Sequence, residues 1–226
     1  MNRIIGFGLS STAAAIMVAI LPSQAVATEL SEFSSIAQIK NKNINAIINS
    51  DEMIEESGAY GYGVITKAGL NGILVTTTHG GVLDSAMQTD ASDARFHNHY
   101  LSLQDSKKDG SGLCPTFEVK DISWDAPGDV TILEDTAVFD GPTEYKSTHS
   151  LTGKKVSFRN LGPIGSVVSF TITPVDGKGN FSVDPIEAVC IDAAGTAVPL
   201  VDRSPKINKL PKTAKPTKNG KEQEDD

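Results

Sequence analysis

The stretch Val167-Val-Ser-Phe-Thr-Ile-Thr-Pro-Val175 indicates the fold class most clearly. In an extended chain its apolar residues Val168, Phe170 and Ile172 lie on one side, and the hydroxyl residues between them lie on the other. The next five residues, Asp176-Gly-Lys-Gly-Asn180, have the composition of a hairpin loop. An alternating run followed by such a loop is typical of antiparallel β-structure, so we expect a mainly β protein.

Similar short runs continue on both sides of this strand. They are rich in β-branched and aromatic residues, they are bounded by Gly, Pro, Asp and Asn, and they cover residues 60–66, 72–78, 95–104, 116–124, 129–133, 137–139, 155–159 and 181–191. Pro185 lies inside the last run, which predicts an edge or a bulge there. We therefore expect residues 58–201 to form one antiparallel β-sandwich, or a barrel-like variant of it.

Residues 28–57 have a different pattern, and we expect a helical leader segment there. Their large apolar residues fall mostly three, four, seven or eight positions apart; they are Phe33, Ile36, Ile44, Ile47, Ile48 and Ile54. The asparagines at positions 41, 43, 45 and 49 lower helix propensity. Two short helices or a poorly ordered leader therefore remain alternatives to one helix.

The first 27 residues have the features of a secretory signal peptide. Arg3 precedes an apolar run, and Ala25-Val-Ala27 is a small-residue cleavage site. A retained membrane anchor is the alternative. After cleavage, no other stretch has the roughly 18 apolar residues that a transmembrane helix needs. We therefore predict a secreted or cell-surface protein.

Composition limits the partners of the chain. Its 226 residues carry a formal net charge of -8, with only 6% aromatic residues, which argues against a nucleic-acid binder. Residues 202–226 form a Lys- and Pro-rich tail that we expect to be disordered. Lysines recur there at every third position from Lys206 to Lys221. In a polyproline II conformation they would line one face, which we predict to contact an acidic cell-surface polymer or another protein.

The two cysteines, Cys114 and Cys190, are expected to form a disulfide bond. An even number of cysteines in an exported chain favours pairing. Thiolate ligation of a metal is the weaker alternative, because neither cysteine has a second one two residues away.

Three of the four histidines form a candidate metal site. His97 and His99 alternate along a predicted strand and therefore share a face, which Leu101 and Leu103 continue. His79 ends another predicted strand, immediately before Gly80-Gly81. Three imidazoles suit zinc with an open fourth position, or copper(II).

A carboxylate from Asp84 or Asp93 could complete this site. The competing interpretation is that the histidines form only a polar stripe on a strand. The fourth histidine, His149, lies between turn-like segments and is expected at the surface.

The motif Phe96-His-Asn-His99 is similar to the strand motif by which copper/zinc superoxide dismutases present two copper ligands on a disulfide-bearing β-sandwich. The resemblance covers four residues. That family uses six histidines and this chain has four, so the resemblance implies a related type of copper centre and not the activity.

A longer set of motifs resembles a group of uncharacterised exported β-domain proteins of archaea. It comprises Thr76-Thr-Thr-His-Gly-Gly-Val-Leu-Asp-Ser85, Phe96-His-Asn-His-Tyr100, Ile122-Ser-Trp-Asp-Ala-Pro-Gly128 and Glu187-Ala-Val-Cys-Ile191. The resemblance spans residues 60–201 and brings no known activity. It implies that the histidines and the second cysteine belong to a recurring pattern of the domain.

Three functions follow from these patterns, in order of preference. The first is a secreted or cell-surface β-sandwich that binds copper or zinc through His79, His97, His99 and a carboxylate. The second is an extracellular structural or interaction module without metal, and the third is a copper-dependent oxidoreductase. The G-x-S-x-G, Walker A, H-E-x-x-H and C-x-x-C signatures are absent, so we assign no catalytic residue and favour binding over catalysis.

Overall fold

The computed structural model describes Leu30, residues 33–197 and Pro199. These residues form strands and one short 3-10 helix, Gly69–Asn71. In chain order the strands are β1 (Phe33–Lys40), β2 (Asn43–Ser50), β3 (Ala59–Thr66), β4 (Ile73–His79), β5 (His97–Asp105), β6 (Phe117–Ile122), β7 (Val130–Leu133), β8 (Thr136–Pro142), β9 (Tyr145–Thr148), β10 (Lys155–Phe158), β11 (Ile164–Val175) and β12 (Ala188–Ala197).

Six of these strands close into a barrel, in the order β11-β12-β6-β5-β4-β3. A separate four-stranded sheet has the order β1-β2-β8-β7, and β9 pairs with β10 in a two-stranded ribbon. All of these pairings are antiparallel. The predicted antiparallel, mainly β class is therefore confirmed, and the barrel-like variant describes the central unit better than an open sandwich.

Alternation along the barrel strands creates two apolar layers. On β3, Tyr60, Tyr62 and Val64 point outward and join the layer between the barrel and the four-stranded sheet, where Ile44 and Phe139 meet them. The inward-facing side chains form a separate cluster inside the barrel, which includes Ile73, Val75, Leu101, Leu103, Ile122, Phe170 and Ile191. A strand can supply both layers because successive side chains point to opposite faces.

Two glycines make room for an aromatic ring inside the barrel. A side-chain carbon placed on Gly61 or Gly63 would lie 3.1 Å or 3.4 Å from the ring of Phe170 on the adjacent β11. A larger residue at Gly61 would also clash with the backbone carbonyl of Thr76, and one at Gly63 would crowd Ile73 and Val75 more closely than Phe170.

The predicted N-terminal helix is wrong. Residues 33–50 form the hairpin β1-β2, and β2 also pairs with β8. Burial alternates along β2, where Ile44, Ala46 and Ile48 are inaccessible to solvent. The turn consists of Asn41 and Lys42, both with positive φ, as a two-residue hairpin of the type I′ class requires. The helical spacing of the isoleucines was therefore coincidental.

Other strand predictions need smaller corrections. The last run was predicted from residue 181, whereas β12 begins at Ala188 and the residues before it form a loop. That loop contains a cis peptide bond between Asp184 and Pro185. The strand β9 was not predicted.

The predicted disulfide bond between Cys114 and Cys190 is present. It joins the segment before β6 to β12, and both cysteines are 2% exposed in a small apolar cluster with Val175 and Ala188. The predicted signal peptide, residues 1–27, and the tail from residue 202 lie outside the described residues. Among the residues that are described, no helix is long and apolar enough to cross a membrane.

Candidate metal centre

The three predicted histidines converge at one end of the barrel interior. In the register of β4 with β5, Thr77 lies opposite His97. His79 lies two residues beyond Thr77 on the same face, and His99 lies two residues beyond His97. The ring centroids of His79 and His99 are each 4.9 Å from that of His97. The sequence prediction that His97 and His99 share a face and that His79 reaches them is confirmed.

Asp84 is the carboxylate that joins them. Its Oδ2 lies 3.3 Å from His79 Nε2, and its Oδ1 lies 3.3 Å from His97 Nε2 and 3.6 Å from His99 Nε2. The Nε2 atoms of His79 and His97 are 3.2 Å apart. One potential ligand atom from each of the four residues falls within 4.8 Å of the others.

These separations fit the coordination shell of a small cation. Four ligands at about 2.0–2.1 Å from a tetrahedral zinc ion lie about 3.3 Å from one another. The separations between Asp84 and the three imidazoles are 3.3, 3.3 and 3.6 Å. The donor set of three imidazoles and one carboxylate suits zinc or copper.

Backbone carbonyls determine how two of the imidazoles face the site. The Nδ1 of His97 lies 2.8 Å from the Arg95 carbonyl, and the Nδ1 of His99 lies 2.7 Å from the Ser123 carbonyl. A carbonyl oxygen only accepts hydrogen bonds, so each Nδ1 carries the hydrogen. In the neutral rings, each Nε2 therefore carries no hydrogen. Its lone pair is directed at the cluster, as in metal-binding histidines.

The buried position sets the charges in this cluster. His97 is fully inaccessible to solvent and His99 is 1% exposed. Burial lowers the pKa of His97, and the nearby Asp84 only partly offsets this. Burial acts to raise the pKa of Asp84, but the charge of His99 and the close contacts with the three imidazoles outweigh it and hold that pKa well below its ordinary value. The lowered pKa values of both groups favour an ionised Asp84 beside a neutral His97.

Two atoms of the cluster have no hydrogen-bond partner among the residues that the structure describes. They are the Oδ1 of Asp84 and the Nε2 of His99, both inaccessible to solvent. Buried polar atoms almost always have a partner. Two unpartnered acceptors that face each other at 3.6 Å therefore indicate a place for a cation between them.

No protein-family model, curated protein or solved structure matches the chain. The resemblance to exported archaeal proteins stays a prediction.

Gln88 is a site residue that sequence reasoning missed. Its Oε1 accepts hydrogen bonds from the backbone N–H groups of Asp84 and Ser85, at 3.0 and 3.1 Å. Its Nε2 donates to the carbonyls of Val82 and Asp93, at 3.2 and 3.1 Å. The Gln88 amide thus links separate backbone groups of the loop between β4 and β5. These hydrogen bonds fix the backbone that carries Asp84. No short-range sequence signal marks this role, because the contacts depend on the folded path of the loop.

The other predicted candidates are not members of the cluster. Asp93 does not complete the site. Its carboxylate instead accepts hydrogen bonds from the Arg95 side chain and from the Thr89 backbone N–H, each at 2.9 Å. His149 is half-buried rather than fully exposed, and its Nε2 lies 3.3 Å from the Lys120 carbonyl. Neither residue belongs to the four-residue group.

Proposed function

We propose that this domain binds one transition metal ion through the Nε2 atoms of His79, His97 and His99 and the carboxylate of Asp84. The observation that carries the proposal is the convergence of these acceptors in a buried place, with Asp84 Oδ1 and His99 Nε2 unpartnered. Asp84 Oδ1 and the Nε2 atoms of neutral His97 and His99 are all acceptors, which do not attract one another, and a coordinated cation would bond them at once. The carbonyl-held Nδ1 atoms of His97 and His99 support this interpretation.

The alternative is a buried network of protonated histidines around Asp84. It would need hydrogens on the Nε2 atoms of His97 and His99 in addition to those on Nδ1, which places positive charges in a region closed to water. The lowered pKa of His97 opposes such charging. A metal ion satisfies the same acceptors with neutral rings, so we favour metal binding.

Zinc and copper(II) are the ions that we propose. Imidazole nitrogen suits both, whereas magnesium and calcium prefer shells made of oxygen. Copper(II) binds a given nitrogen site more tightly than zinc does, so copper(II) is expected to displace zinc in a competition titration.

We further propose that the domain acts outside the cytoplasm. The disulfide bond supports an oxidising compartment, and residues 1–27 have the features of a signal peptide. The lysines of the tail, residues 202–226, remain the proposed contact for an acidic cell-surface polymer or a protein partner. In this setting the metal centre would belong to a secreted binding module.

Calorimetric titration of metal-stripped protein with Zn²⁺ tests the proposal. We expect saturable uptake of one equivalent, with at least hundredfold weaker binding in His97→Ala and in His99→Ala. His149→Ala is the matched control, because His149 lies outside the cluster, and its affinity should equal that of the unmodified protein. If zinc uptake is not saturable, or if His97→Ala leaves the zinc affinity unchanged, the result would favour the interaction module without metal.

A further inference from the structure

A cavity inside the barrel adjoins the metal centre. Its volume is about 370 Å³, within the range of small-molecule sites. One wall carries His79, Asp84 and His99. The other walls are mostly apolar and include Leu101, Val119, Ile122, Phe170, Ile172 and Ile191.

Three of the four ligand residues line this cavity and the fourth does not. His97 is absent from the lining and is fully inaccessible to solvent. An ion held by all four residues would therefore have His97 behind it and the cavity in front. A further ligand would approach through the face formed by His79, Asp84 and His99, on the side opposite His97, and zinc can accept such a fifth ligand.

The charge of the centre selects the class of ligand. A divalent ion with one carboxylate and three neutral imidazoles has a net charge of +1, which favours one more anionic group in a buried place. Among the described residues that line the cavity there is no lysine or arginine, and its ionisable side chains outside the centre are His149 and the exposed Glu187. The metal ion would consequently be the main partner of an anion, and Glu187 would repel a second negative charge.

We propose that the cavity binds a small organic monocarboxylate, with its carboxylate on the metal ion opposite His97 and its apolar body against Phe170, Ile172 and Ile191. This inference rests on the metal site proposed above. The apolar walls would supply selectivity for the body of the ligand, and the ion would supply the anchor for its charged end.

Titration of zinc-loaded protein with acetate, butyrate and hexanoate tests the proposal. Each added methylene buried in the cavity should tighten binding about threefold to fourfold. Metal-stripped protein should bind hexanoate at least tenfold more weakly than zinc-loaded protein. If zinc binds but hexanoate binds no more tightly than acetate, the cavity proposal is wrong and the metal site stands. If zinc itself does not bind, the proposed metal-binding function is wrong, and the cavity proposal that rests on it falls with it.

A variant that fills the cavity provides a second test. Val119→Phe on β6 places a larger side chain in the cavity without altering a ligand residue, and it should weaken hexanoate binding at least tenfold with one zinc still bound. Val138→Phe is the matched control, because Val138 is 38% exposed on β8 and lies outside this cavity. Equal hexanoate affinity in the two zinc-loaded variants would overturn the proposal. The methylene series on the unmodified protein decides the question even if Val119→Phe does not fold.

Discussion

At the scale of single residues, one side-chain amide controls the geometry of the proposed centre. Gln88 is 7% exposed, and it both accepts and donates hydrogen bonds within the loop that carries Asp84. A carboxylate in its place could still accept but could not donate to the carbonyls of Val82 and Asp93. Gln88 is thus a positioning residue, since it touches the backbone of a ligand residue and not the site of the ion.

We expect Gln88→Glu to weaken zinc binding about tenfold to hundredfold, the usual cost of losing an outer partner of a metal ligand. A competition titration against a chelator of known affinity measures this effect. Gln38→Glu makes the same chemical change on β1, where Gln38 is half-buried outside the barrel, and it should leave the affinity unchanged. Equal affinities for the two variants would contradict the role assigned to Gln88.

A second buried residue, Glu118, contributes to the response of the fold to acid. Glu118 is 4% exposed and accepts hydrogen bonds from Gln104, Ser106 and Ser111. Burial acts to raise its pKa, but the hydrogen bonds outweigh burial and hold the pKa below its ordinary value. A lowered pKa in the folded state means that the carboxylate stabilises the fold above the ordinary pKa of about 4.3. That contribution is lost as the pH falls through the folded-state pKa.

Glu118→Gln should therefore lower the free energy of unfolding at neutral pH by about 1–3 kcal/mol, because its donors lose a charged acceptor. Below about pH 4 the difference from the unmodified protein should shrink, since protonation removes the same charge. Urea unfolding at a series of pH values measures both effects, with the exposed Glu144→Gln as control. A difference that is independent of pH would show that the charge of Glu118 does not matter.

At the scale of elements, the disulfide bond restrains the segment between β5 and β6. It joins Cys114 to Cys190 on β12 across a sequence separation of 76 residues. Neither cysteine belongs to the histidine and aspartate cluster. The bond therefore affects the stability of the barrel and not the coordination of the ion.

Replacing both cysteines by serine should lower the free energy of unfolding by about 2–5 kcal/mol, because the unfolded chain regains the freedom of a long loop. Zinc stoichiometry should remain at one equivalent in the folded variant. Urea unfolding and calorimetry on the same preparation separate the two quantities. A variant of full stability would show that the cross-link contributes nothing to the free energy of unfolding.

The elements also show what the sequence could predict. Strict alternation in β5 predicts that His97 and His99 share a face, and the Gly80-Gly81 turn after β4 predicts the approach of His79. The choice of Asp84 over Asp93 could not be predicted, because it depends on the loop path that Gln88 holds. The hairpin β1-β2 was misassigned because its isoleucines also satisfy helical spacing. Its turn, Asn41-Lys42, lacks the glycine that usually marks such hairpins.

At the scale of the whole molecule, the proposed centre lies inside the closed barrel and draws on several parts of it. Its ligands come from β4, β5 and the loop between them, and the carbonyl of Ser123, beyond β6, orients His99. An ion bound there contacts only the folded arrangement, because the unfolded chain does not hold these groups together. Metal binding should consequently raise the stability of the whole domain.

Zinc at a free concentration of a hundred times its dissociation constant should add about 2.7 kcal/mol to the free energy of unfolding. For a domain of this size, the melting temperature should rise by roughly 5–10 °C. Differential scanning calorimetry with and without zinc measures the shift, and His97→Ala should abolish it. A shift that persists in His97→Ala would place the bound zinc elsewhere on the protein.

The four proposed ligands all lie between positions 79 and 99, within one hairpin and its connecting loop. The disulfide bond, the four-stranded sheet and most of the barrel wall lie outside this segment. The site can therefore be gained or lost by exchange of a single contiguous stretch of gene, with the rest of the architecture unchanged. We expect proteins with the same barrel to differ in metal content wherever this one hairpin differs, provided that a carbonyl at the place of Ser123 still orients His99.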